Sequence, residues 1–382
     1  MCRTGQVTAD SVSHLRFPSR AGRVAPASGG CATPLHRDRR DACRTQRHPA
    51  SRGRTMTLLA GALACSVVMG GCNLRRLAVE NLAVVFNESS AVFTSDADPE
   101  LIREAMPLSL KLIEGLLLEA PDNRGLLLAA CSGFTQYAYV FVDQEADEVE
   151  SGTLPVTAVS LGRFGRPIRL DVPADAPPRS EKLALASALR VRARGLYLRG
   201  RDYGLRGLEV AHPGFREALA RDPRQAVRAA DKADVGLLYW TAASWGLGIA
   251  VSKDIPDLIA DQPKVEALID RALELNESYE NGAIHSFLIT YEQARKGASG
   301  TPESRIRPHF ERAVQLSEGK LAAPMVSYAE SVSLMELNRE EFETMLRRAL
   351  AVSPDARPEW RLTNLVSQRR ARWLLSRVND LF

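Results

Sequence analysis

Five stretches of this chain close an apolar helical run in a similar way. They are Leu118-Glu-Ala-Pro-Asp, Leu219-Ala-Arg-Asp-Pro, Leu273-Glu-Leu-Asn-Glu, Val314-Gln-Leu-Ser-Glu and Leu350-Ala-Val-Ser-Pro. The last three begin at 273, 314 and 350, steps of 41 and 36 residues. These steps are close to the roughly 34-residue period of tetratricopeptide repeats. An antiparallel helix pair cannot bury its apolar face alone, so such pairs stack. Within one run, Val265, Leu268, Ile269, Ala272 and Leu273 follow the spacing of a helix packed on one face, and Pro263 suits its first turn. Period-two alternation is absent except over 156–172, where a small hairpin is expected. The expected fold is all-α, a tetratricopeptide-like helical repeat array, or α-solenoid.

The N-terminal part calls for separate treatment. Met56 to Cys72 carries no charge, follows Arg52 and Arg54, and ends in Gly70-Gly71-Cys72. This run is shorter than the 20 or so apolar residues that span a bilayer. It has the layout of a secretory signal with a small-residue cleavage site. The cysteine at the cut makes 56–71 a lipoprotein signal peptide and Cys72 the lipidated terminus, although Met69 stands where a lipobox usually has Leu, Val or Ile. Residues 1–55 are rich in Arg, Pro, Ser and Gly, a composition that cannot bury enough surface to offset chain entropy. They are expected to be disordered, or to lie upstream of a true start near Met56. Residues 73–382 remain as the folded repeat domain. The stretch from 143 breaks the helical pattern, with a loop insertion over 151–179 and helical character again from Ser180.

Removing this leader reverses the charge. The whole chain is formally +4, but residues 1–71 hold 11 Arg against 3 Asp, leaving 39 basic and 43 acidic groups downstream, or −4. A mildly acidic chain lacks the basic footprint of a nucleic-acid binder. Cys72 and Cys131 are the only cysteines after the signal, so no disulfide is expected and Cys131 reads as a small buried hydrophobe. His212, His285 and His309 are not spaced as metal ligands, and His309, behind Pro308, reads as a surface residue. No cofactor or metal motif and no nucleophile elbow occurs. No enzyme activity is expected.

Two stretches hold candidate binding residues. Residues 235–252 form an uncharged run of 18 residues, at the lower bound for a membrane span. Small residues dilute it, so it reads as a central helix buried all round. Its Tyr239, Trp240 and Trp245 could instead wall an apolar pocket. Residues 190–209 are dense in arginine, and Arg192, Leu196, Arg199, Tyr203 and Arg206 share a helical face. That face could clamp a carboxylate, or pair with the acidic stretch Asp143, Glu145, Asp147, Glu148 and Glu150.

Four separated stretches in order, RARGLYLRGRDYGLRGLE, LLYWTAASWGLGIAVSKD, HFERAVQLSEGK and LTNLVSQRRARWLLSRVNDLF, resemble the T-component (TatT) family of TRAP transporters over roughly residues 73–382. The resemblance implies a periplasmic lipoprotein of tetratricopeptide-like repeats that binds the periplasmic solute-binding subunit of a tripartite ATP-independent transporter. It also implies a homotrimer with a ligand-admitting cleft or pore in each protomer. The ligand would be small and apolar, or a carboxylate. Arg199, Tyr203, Tyr239, Trp240 and Trp245 are the candidate pocket residues, and the lipid on Cys72 would anchor the chain to a membrane, with the outer membrane expected. The alternative is a tetratricopeptide-type scaffold lipoprotein for envelope assembly.

Overall fold

The structure is a computed structural model that describes residues 90–153 and 178–382. The leader, the signal peptide, Cys72 and the hairpin expected over 156–172 lie outside the described residues. So does most of the 151–179 insertion. Every described element is helical.

Local rules set the helix ends. Helix α1 (Pro99–Glu119) starts where the Asp98 carboxylate accepts from the Glu100 and Leu101 amides, with proline in its first turn. Helix α2 (Arg124–Ala138) is capped by Asn123 and passes through a π-helical turn, Tyr139–Asp143, into α3 (Gln144–Ser151). Gly152, at φ 78°, ends it in the left-handed conformation that glycine adopts without strain. The 34-residue α4 (Pro178–Ala211) follows, then α5 (Val235–Ala250) and α6 (Gln262–Leu275). Next come α7 (Ala283–Tyr291) and α8 (Pro302–Leu316). Helix α9 (Ala323–Tyr328) runs into a second π-helical turn, Ala329–Ser333. The last two major helices are α10 (Arg339–Ala351) and α11 (Arg361–Ser376).

The sequence anchors fall where helices stop. Leu118, Leu273, Val314 and Leu350 sit in the last turns of α1, α6, α8 and α10, and Leu219 lies near the end of the short helix Phe215–Arg221. Helices pack on near neighbours in the chain: α1 on α2, α2 and α5 on α4, α6 on α5, α7 on α8, and α10 on α11. Apolar side chains form three successive clusters along the chain. One holds Leu126, Phe134, Leu189 and Tyr197, the next Leu208, Leu238, Leu268 and Ile284, and the last Ile306, Tyr328, Phe342 and Leu346. Each is fed by a run of helices too small to close a core alone.

Two expectations change. The acidic stretch from 143 is not a break, because the π-helical turn carries the helix on to Ser151. Most of its carboxylates are tolerated there because an arginine from another helix meets them. Arg103 takes Glu145, Arg190 takes Asp147 and Glu150, Arg369 takes Glu148, and Arg370 takes Asp147. The apolar run at 235–252, read as a central buried helix, is indeed one: the 16-residue α5 packs against α4, α6 and α2. The one described helix long and apolar enough to cross a membrane is instead Arg124–Ser151, and 56% of its apolar window is buried in the protein. The second change concerns His309 and is given with the site.

The C-terminal helix does more than cap. Helix α11 packs on α10 and α9 and also on α1 and the short helix Ser90–Thr94. Arg361 donates to the Ser95 carbonyl at 2.9 Å, Arg369 to Glu148 at 2.9 Å, and the Trp373 indole to Thr153 Oγ1 at 2.8 Å. The last long helix and the first described helices are thus joined.

Candidate functional site

The arginine–tyrosine face of α4 is occupied from within. The Tyr203 hydroxyl donates to Glu114 Oε1 at 2.7 Å, and the Arg199 guanidinium pairs with the same oxygen. Phe134 backs both, stacked on Tyr203 at 5.9 Å between ring centroids and lying 4.9 Å beneath Arg199. Burial would raise the Glu114 carboxyl, but the hydrogen bonds from Lys111 and Tyr203 and the charge of Arg199 outweigh it and hold Glu114 below its usual range. The carboxylate that this face recognises is on its own chain. The same helix carries Gly200, Gly204 and Gly207, where a Cβ would meet Ser244, Thr241 and Leu237 of α5. These glycines let α5 approach closely, and fully buried Cys131, its thiol pushed up to about 12 by burial, packs in the same contact.

The three aromatic residues of α5 part company. Trp245 is 4% exposed, with the Arg201 guanidinium 5.0 Å and the Lys264 ammonium 5.5 Å from its ring. It is a core residue with cations along its faces. Tyr239 and Trp240 instead join a separate aromatic group. The Tyr239 ring lies 4.9 Å from Trp240, 5.5 Å from Tyr279 and 6.5 Å from Phe287, in tilted and edge-on arrangements that suit aromatic quadrupoles. Gly236 leaves room for the Tyr279 hydroxyl, 3.1 Å from where its Cβ would stand.

Beside this group the backbone turns sharply. Glu280, Asn281 and Gly282 have φ of 43°, 56° and 95°, three successive residues in the left-handed region. A glutamate held there costs on the order of 1–2 kcal/mol. The Glu280 side chain is exposed, yet burial raises its carboxyl, against the pull of the nearby Tyr279 hydroxyl and Trp240 indole. Tyr139, on the first π-helical turn, shows the same pairing of properties. It is 43% exposed, and its hydroxyl is pushed up to about 12, first by burial and then by the charge of Glu330. Burial also raises the Tyr239 hydroxyl, with Glu280 and Tyr139 adding to the effect. Tyr239 thus stands near enough to both Glu280 and Tyr139 to feel their charges. An open concavity of about 480 Å³, lined by Pro256, Ile259, Gln262, Pro263, Glu266 and Lys296, includes none of these residues.

Sequence reasoning named Tyr239 and Trp240 but not Tyr279, which packs with them. The available signal was Asn281-Gly282, a pair suited to left-handed turn positions. It also misplaced His309, which is half-buried with its Nδ1 2.9 Å from that of His285. Burial lowers both imidazoles, His309 to about 4. Glu277 lies 3.5 Å from the opposite nitrogen of His285, so the three do not converge on one point. Among the described residues, no group of three or more His, Cys, Asp or Glu side chains could hold a metal ion. A buried carboxylate, Asp234 (2% exposed), is held by Arg124, by His212 at 2.8 Å and by the Asp231 amide at 2.9 Å. It fixes the turn that leads into α5.

Comparison with known proteins gives two matches. A family model described as TRAP transporter T-component matches residues 95–163 and 171–382. An uncharacterised protein of Treponema pallidum (strain Nichols) is 30% identical over 342 residues, spanning 84% of this chain and 96% of the relative. The family match skips 164–170, inside the stretch expected to be an insertion.

Proposed function

The chain belongs to the TRAP transporter T-component family, and from that premise we propose that it is a periplasmic accessory component of such a transporter. It associates with the solute-binding subunit and holds a small ligand, for which the aromatic group around Tyr239 and Trp240 is the candidate surface. The match over nearly all of the folded chain carries the transport reading. The successive helix pairs, with helices ending at the repeated anchors, support a tetratricopeptide-like stack with a surface open to a partner. The apolar run ending at Cys72 supports a lipid tether, and a trimer follows from the family resemblance.

The physical role of the fold is to present and hold, since the side chains described above pair with one another rather than form a nucleophile and base. What supports this surface is the clustering of Tyr239, Trp240 and Tyr279, with Trp240 and Tyr279 partly exposed. Arg199 and Tyr203 do not supply it with a carboxylate clamp, since Glu114 engages both. Crosslinking in native periplasm followed by pull-down of the chain tests the reading. Recovery of the TRAP solute-binding subunit at near-equal amounts is expected, and its consistent absence from crosslinked material would contradict the proposal. Mass spectrometry of the same material should show a diacylglyceryl thioether on Cys72, and an unmodified cysteine would remove the tether.

A further inference from the structure

Helix α1 is apolar on two sides, and the protein covers only one of them. Ile102, Leu110, Ile113 and Leu117 are buried in the first core cluster. Leu101, Ala105, Leu108, Leu112 and Gly115 follow one another at spacings of three or four residues and so share the outer side. There Leu101 is 53% exposed, Leu108 66% and Leu112 51%, and a Cβ on Gly115 would meet nothing within 4 Å. Charged side chains of the same helix are drawn to its flanks. Arg103 donates to Glu145 of α3 at 2.9 Å, and Glu114 accepts from the Tyr203 hydroxyl of α4 at 2.7 Å. A helix apolar on every side is one that its surroundings cover.

The place of this stripe in the chain indicates what covers it. Of the eleven large apolar side chains exposed among the described residues, five lie between 92 and 118 and none between 192 and 334. Cys72 stands 18 residues before Ser90, a stretch that reaches at most about 60 Å. A lipid on Cys72 therefore keeps α1 close to the bilayer that holds it. Three leucines make a small stripe for a stable protein interface, which takes about 800 Å² from each partner. A tether makes contact with the membrane intramolecular, where a weak attraction is enough. We propose that the outer face of α1 lies in the plane of the membrane interface, with Leu101, Leu108 and Leu112 against the acyl chains. The contact orients the protein, turning the helices packed on the inner side of α1 toward the periplasm. This inference rests on the lipid tether proposed for Cys72.

The chain from residue 73, which lacks the tether, is floated with vesicles of phosphatidylethanolamine and phosphatidylglycerol. Binding is expected to be half-complete at roughly 0.1–1 mM lipid, the strength of a single acyl chain. It should change little in high salt, because the contact is apolar. Leu108→Glu should weaken it about tenfold or more, while Gly115→Leu, which fills open space on the stripe, should tighten it about threefold. Met335→Glu, at a side chain 68% exposed and far along the chain, should change nothing. Failure of the wild-type chain to float would overturn the proposal, as would equal effects of Leu108→Glu and Met335→Glu. Sedimentation of the same proteins without vesicles separates the rival occupant. Should Leu108→Glu disperse an oligomer while the wild-type chain does not float, the stripe is a contact between copies and the proposal fails. An unmodified Cys72 in native material contradicts the tether alone, since flotation of the chain from residue 73 sustains the membrane contact without it.

Discussion

The His285–His309 contact is the clearest case of single side chains setting a solution property. Both imidazoles are held below their ordinary value, chiefly by burial, and for His309 the charges of His285 and Arg295 add to it while Asp270 opposes. A histidine whose folded value lies below its unfolded value of about 6.5 stabilises the protein above that pH and loses the contribution as pH falls. With His309 near 4, the chain should lose on the order of 2 kcal/mol between pH 7 and pH 4 through this group. Urea melts across that range check it: His309→Gln should flatten the decline, and a parallel slope in both proteins would contradict the assignment. Asp234 acts lower on the scale. Burial opposes its charge, but the Asp231 amide, His212 and Arg124 together hold it below its usual range. Its stabilisation is full above about pH 4 and fades below it. At neutral pH, Asp234→Ala should cost about 3 kcal/mol, the scale for stranding the partner of a buried pair, read as a shift in the urea midpoint.

Among elements, the contact of α4 with α5 shows how far the sequence could be read. The arginines of 190–209 drew attention first, yet the glycines between them decide the packing. A Cβ on Gly204 would collide with Thr241 and stand 2.9 Å from the Cys131 sulfur, while one on Gly195 would meet nothing within 4 Å. Gly204→Ala should therefore cost about 1–3 kcal/mol by overpacking, whereas Gly195→Ala should stabilise by up to about 1 kcal/mol through helix propensity. Thermal melts that move both variants in the same direction would contradict this account. Helix stops, the amphipathic α6 and the core character of α5 were legible because they depend on local period and turn residues. The partners of Arg199 and Tyr203 were not, because Glu114 lies more than eighty residues away and nothing local marks it. The continuation of the helix past Asp143 was hidden for a similar reason: five acids in eight residues repel unless arginines from distant helices arrive.

In the molecule as a whole, the joining of α11 to the first helices makes the described residues one connected unit rather than an open row. Arg370 is central to that join, paired with Glu330 at 2.7 Å and Asp147 at 3.0 Å and lying over Trp373. Its charge is strongly favoured, because the carboxylates of Glu330 and Asp147 outweigh the penalty of burial. Arg370→Ala should destabilise by about 2 kcal/mol or more, since two partly buried carboxylates lose their partner. Because the join couples both ends, the loss should appear as one cooperative transition at lower urea. Separate unfolding of the two ends in the wild-type chain would contradict the coupling. The repeated endings in the sequence foretold where helices stop but not this closure, which depends on pairs such as Arg369 and Glu148 that are more than two hundred residues apart. The claim on which the functional account stands is partnership in a TRAP transporter. Sedimentation velocity of the chain from residue 73, mixed with the solute-binding subunit from the same organism, tests it most directly. The account predicts a faster-sedimenting, saturable complex at micromolar concentration, and independent sedimentation of the two proteins at every ratio would contradict it.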